Sequence, residues 1–164
     1  MMDPAPLFDR LLLLTGRLNY VWTNTESVLI HFIAGLLGTD KERAVIVFLT
    51  LNTTRARLDL VERLAKAEGR SPAERDDILA CTGRFGELAR LRNHYNHCIY
   101  SFDSERGSYK TILMRIADRK TDIRMGRSDE IDEGEIERID QTIQQLKELN
   151  LQMWALIRRL EFPV

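Results

Sequence analysis

Histidine and cysteine are scarce in this chain, with three of the first and two of the second among 164 residues. On one helix, Cys81 and Cys98 would stand roughly 25 Å apart, far beyond bridging distance, so both are expected as reduced thiols. No Cys-x-x-Cys pair, Gly-rich phosphate loop or Ser/His/Asp order occurs, which removes the commonest thiol, nucleotide and triad signatures. Nor is there an excess of charge. With 24 Lys and Arg against 25 Asp and Glu, the net charge is −1, which excludes an all-over basic surface that grips nucleic acid by bulk electrostatics. Long apolar runs are missing too. The leucines at 11 to 14 are bracketed by Asp9, Arg10 and Arg17 and do not make a signal-peptide core. The stretch "SVLIHFIAGLLGT" (27–39) is too short for a membrane span and carries His31, so a cytoplasmic protein is expected. No repeat or low-complexity segment breaks the pattern, and the length suits a single domain over 1–164.

What is present is helical periodicity. Prolines near residue 4 open a helix that Gly35 and Gly38 close, and Thr39 or Asp40 caps a second one running to "AKAEGRSP". Ser71, Pro72 and Glu74 spell a capping box for a third helix, expected to continue to about Ser101. The fourth starts near Asp132 or Glu133 in the acidic run "SDEIDEGEIE" and reaches about Leu160. Its apolar positions Ile136, Ile139, Ile143, Leu146, Leu149, Met153, Leu156 and Leu160 recur at threes and fours. Between helices three and four, Ile112, Met114 and Ile116 alternate, and Ile123 and Met125 follow a polar "DRKT". That period predicts a short β-hairpin at about 109–127. The expected fold is mainly all-α: an antiparallel four-helix bundle with that hairpin inserted.

The third helix gathers two of the three histidines in "RNHYNHCIY" (92–100). On a helical wheel, Phe85, Leu88, Leu91, Tyr95, Ile99 and Phe102 share one apolar stripe, and Arg92 lies at its edge. Asn93 and His97 are one turn apart on the other side, and Arg92 and Asn96 pair likewise. A second protomer packed against this rim would make a lined cleft. Arginine offers a permanent positive fork for phosphate oxygens, histidine moves a proton near neutrality, and asparagine orients either one. The set suits phosphodiester cleavage by an attacking 2′-hydroxyl without a metal.

"RNHYNH" resembles the Arg–polar–(three to five residues)–His signature of the HEPN superfamily, small helical-bundle proteins of prokaryotic defence and toxin systems and of larger nucleic-acid machines. The resemblance spans most of the chain as a pattern, with "TTRARLDLVERLA" on the preceding helix. It implies a dimeric, metal-independent endoribonuclease whose paired motifs face each other and which leaves 2′,3′-cyclic phosphate. Arg92, Asn93 and His97 would be its catalytic residues. Some relatives carry a tyrosine two residues after the histidine; here Cys98 and Ile99 precede Tyr100. The superfamily also holds members that bind and do not cleave, so a module binding RNA, a nucleotide or a protein partner is the alternative. A neutralising protein partner is the kind such toxins have.

Asn96, Tyr100, Arg119, Lys120 and Arg124 are the candidate binding residues around that motif. The hairpin region is locally basic, with Lys110, Arg115, Arg119, Lys120, Arg124 and Arg127 against Asp118 and Asp122. It reads either as a flap that contacts phosphate or, more simply, as charges guarding a sheet edge. His94, His97 and Cys98 have spacings that would reach one ion, but no second helix offers a Glu-x-x-His partner, so no metal or cofactor is expected. His31 reads as a core histidine with a hydrogen-bond partner, and Trp22 and Trp154 as packing residues. Arg55 and Arg57 either pair with acids or line the cleft.

Overall fold

Asp132 starts the longest helix. Its Oδ1 accepts from the backbone N of Glu135 at 2.8 Å, and α6 (Glu133–Arg159) follows, with acids in its first turn and arginines in its last. Both ends therefore suit the helix dipole. Ile136, Ile139, Ile143, Leu146, Leu149, Met153 and Leu156 are buried, as the spacing of threes and fours requires. The computed structural model describes residues 5–113, 116–118, 120–126 and 128–164 and is mainly α-helical. The chain divides into two compact units: residues up to 19 with 90–143, and residues 20–89 with 144–164.

The second unit is all helix. It takes the end of α1 (Ala5–Ser27), α2 (Leu29–Leu37), α3 (Lys41–Thr50), α4 (Thr54–Ala65), most of α5 (Pro72–Asn96) and the end of α6. The first two helices read from the sequence are each split. At Val28 the ladder tightens to three-residue bonds, Val28 N to Thr25 O at 3.2 Å and His31 N to Val28 O at 3.1 Å. The hydroxyls of Thr25 and Ser27 donate back to Val21 O and Asn24 O, both at 2.8 Å, the side-chain competition that bends helices. The second break falls at Leu51 to Thr53. Extended Thr53 accepts from Ala56 N at 3.1 Å and so caps a new helix, α4, which carries "TTRARLDLVERLA" almost whole. Other end signals act as expected: Gly38 at φ +61° closes α2, and Asp40 accepts from Arg43 N at 2.8 Å. Ser71 Oγ accepts from Glu74 N at 3.2 Å, while Glu74 turns to Arg70 at 3.8 Å.

This unit's core stacks Trp22 on Phe85 at 4.2 Å between ring centres. His31 is buried beside Trp154, with Nδ1 2.7 Å from Pro163 O. Arg55 and Arg57 pair with acids. Arg55 meets Asp59 at 2.9 Å and Arg57 meets Glu26 at 3.0 Å, where Thr54 Oγ1 also donates to Glu26 at 2.6 Å.

The first unit joins the start of α1, the last turns of α5, the start of α6 and the strands. β1 (Cys98–Asp103), β2 (Ser108–Leu113) and β5 (Ser128–Glu130) form an antiparallel sheet in the order β1-β2-β5. β3 (Ile116–Asp118) pairs with β4 (Ile123–Met125). Two expectations are corrected here. The third helix stops at Asn96 rather than near Ser101, because residues 98–103 pair in register with 108–113, from Cys98 opposite Leu113 to Asp103 opposite Ser108. Ile99 and Phe102 thus leave the helical stripe and are about half exposed, at 48% and 50%. The region 109–127 is also not one hairpin. Its first arm belongs to the three-stranded sheet, while β3 and β4 form a separate strand pair. Met114, Arg115, Arg119 and Arg127 lie outside the described residues. Among the described residues no helix is long and apolar enough to cross a membrane.

Candidate functional site

Residues 88–97, "LARLRNHYNH", contain two arginines, two histidines and no carboxylate. Ending α5 at Asn96 places the motif at a helix terminus, where the chain turns into β1. His97 is the first residue past the helix, yet its N–H still donates to Asn93 O at 3.1 Å and to His94 O at 3.3 Å. The motif therefore keeps its helical phase through His97. At about 100° per residue, Arg92 and His97 leave this turn roughly 140° apart.

Each motif side chain has a distinct setting. Arg92 is half-buried, and its Nη1 donates to Asn93 Oδ1 at 3.1 Å. The Asn96 amide stands beside it, and with its oxygen turned to Arg92 it accepts from Nε at 2.9 Å and from Nη2 at 3.3 Å. In the opposite orientation the amide instead pairs with Asn19 on α1 through two bonds of 2.9 Å, and Asn19 Nδ2 also donates to Thr15 O at 3.1 Å. Asn93 is exposed. His97 is exposed as well, and among the described residues its imidazole has no hydrogen bond or ion pair. His94 is half-buried, with its ring edge-on to Tyr95 at 5.0 Å.

Tyr95 is the buried member of the motif, and its hydroxyl donates to Glu135 Oε1 on α6. Burial first, and then the Glu135 carboxylate, hold its phenol well above the ordinary tyrosine range. Tyr95 O accepts from Tyr100 Oη at 3.1 Å and from Cys98 Sγ at 3.5 Å. Burial pushes Tyr100 up to about 12 and raises Cys98 above the ordinary thiol value. Tyr100 also packs edge-on against Phe8, which stacks on Tyr109 at 4.1 Å.

Arg92, Asn93, Asn96 and His97 thus lie at the end of α5 and Tyr100 in the strand that follows, with the Asn96 amide and the Tyr100 hydroxyl engaged internally. Lys120 is exposed between β3 and β4. Arg124 contributes backbone to β4, and Arg119 lies outside the described residues. Sequence reasoning missed Asn19 and Glu135, which sit 77 and 40 residues from their partners. Only the reading of Asp132 as an N-cap could have flagged Glu135, by placing it in the first turn of α6. Among the described residues no three His, Cys, Asp or Glu side chains gather to hold a metal. No family model, curated protein or solved structure matches the chain.

Proposed function

We infer that the protein is a HEPN-like, metal-independent endoribonuclease that works in the cytoplasm as a homodimer, its helices packed as an antiparallel bundle. The observation that carries this reading is the contrast within one turn. Arg92 is braced by Asn93 and stands beside Asn96, while the exposed His97 imidazole has no hydrogen bond or ion pair among the described residues. A held cation and an available proton carrier are what phosphodiester transfer asks for. Their wide angular separation on one helix supports a cleft assembled from two copies of the turn, with Arg92 of one protomer facing the partner subunit's His97.

In that cleft the RNA 2′-oxygen attacks the adjacent phosphorus, and its proton passes to one imidazole. The P–O5′ bond breaks, and the 5′-oxygen takes a proton from the other imidazole, leaving a 2′,3′-cyclic phosphate. Arg92 holds the non-bridging oxygens as negative charge builds, a role worth a few kcal/mol, or about 100-fold to 1,000-fold in rate. Asn93 orients phosphate or imidazole, with a smaller effect. A neutralising protein partner would cover the same turn. The test is RNA cleavage by purified protein and by the variants His97→Ala and Arg92→Ala. Each variant should lose most cleavage while circular dichroism and mass by light scattering stay unchanged. Cleavage that survives His97→Ala would remove His97 from the reaction, and wild-type protein that cuts no RNA would instead favour a module that binds RNA, a nucleotide or a protein.

A further inference from the structure

Tyr95 lies two residues before His97 and three after Arg92, yet it is only 2% exposed and reaches no open surface. What it reaches is Glu135. That glutamate is the third residue of α6, the position from which a capping-box side chain normally turns back to the N-cap backbone. The cap here is half made: Asp132 Oδ1 accepts from Glu135 N at 2.8 Å. The Glu135 carboxylate is committed elsewhere, one oxygen to the Tyr95 hydroxyl and the other to Arg138 Nη1 at 2.8 Å. Its side chain is 13% exposed, against 63% for Arg138, so a largely buried carboxylate takes one donor from the motif and one from the surface.

On its other side, Tyr95 holds the turn through its backbone. Its carbonyl accepts from Tyr100 Oη and Cys98 Sγ, which flank the residues leaving His97. Among the described residues the His97 side chain has no partner, so its place is set by the backbone that Tyr95 anchors. We propose that Glu135 and Tyr95 are positioning residues, a tether from the first turn of α6 that fixes where His97 presents its imidazole. The nuclease reading is needed only for the kinetic half of the test.

The experiment uses the full chain and the variants Tyr95→Phe, Glu135→Ala and Glu135→Gln. NMR of the three histidine Cε1–H resonances reports on each imidazole, with buried His31 as the internal control for folding. Tyr95→Phe and Glu135→Ala should shift and broaden the His97 resonance and leave that of His31 in place. Glu135→Gln keeps an oxygen that accepts from the tyrosine hydroxyl and should restore the wild-type His97 signal. In RNA cleavage, the first two variants should lower kcat about 10-fold to 100-fold with KM little changed, the signature of a displaced catalytic group. Glu135→Gln should recover most of that loss. A His97 resonance unmoved by both Tyr95→Phe and Glu135→Ala would overturn the tether. Wild-type protein that cleaves no RNA would overturn the nuclease reading, and the resonances would still decide the tether.

Discussion

At Gly35 the fold leaves no room for a side chain. A Cβ there would fall within the Phe162 ring, which packs edge-on against Phe32 and lies under the Arg70 guanidinium, 5.0 Å from the ring centre. Arg70 also donates to Gly35 O at 3.2 Å, so ring, helix and cation interlock. Gly35→Ala should destabilise the protein by about 1–3 kcal/mol despite its better helix propensity, because Phe162 must move. Denaturant unfolding measures this, and a variant as stable as wild type would show that the ring can yield. At Arg92 geometry matters more than charge. Asn93 and Asn96 stand along two edges of the guanidinium, a setting that an ammonium cannot reproduce. Arg92→Lys should therefore recover little of the cleavage lost in Arg92→Ala, measured as kcat/KM on one RNA.

The β1–β2 pair has an electrostatic lock at its turn. Lys110 Nζ lies 2.8 Å from Asp103 Oδ2, and Asp103 Oδ1 accepts from the backbone N of Glu105 and of Arg106. The Lys110 hydrogen bond first, and then these backbone donors, hold the Asp103 carboxyl below the ordinary aspartate value. A depressed folded pKa contributes stability above the unfolded value, about 3.9, and that stability is lost as pH falls through the folded one. Amide exchange at Thr111 and Ile112 should accelerate as pH drops through this window, after correction for intrinsic exchange rates. Asp103→Asn should flatten the dependence.

Helix ends were legible where capping is local: Gly38, Asp40, Ser71 and Asp132 all act within three or four residues. The apolar stripe of α6 was legible because its period holds for more than twenty residues. The breaks at Val28 and Thr53 were harder to see, because hydroxyl back-bonding and a Thr cap interrupt helices whose apolar pattern continues. β1 reads as helix in the sequence because Ile99 and Phe102 continue, at spacings of four and three, the helical stripe that Tyr95 belongs to. The turn signal "DSERG", with Gly107 at φ +61°, was the available correction. In the candidate site the motif residues were legible by type and spacing. Their long-range partners Asn19 and Glu135 were not, since only tertiary pairing brings them there.

For the molecule as a whole, the proposed nuclease requires two copies of the turn that ends α5. Light scattering at micromolar concentration should give twice the mass of one chain, and a monomer would remove the paired cleft. The most direct test of the central claim is the chemistry of the product ends. A defined RNA would be incubated with the protein in excess chelator, beside the same RNA carrying a 2′-deoxy at the cut position. The intact RNA should end in 2′,3′-cyclic phosphate, and the deoxy site should stay uncut. Cleavage of the 2′-deoxy substrate, or products ending in 3′-hydroxyl, would contradict it.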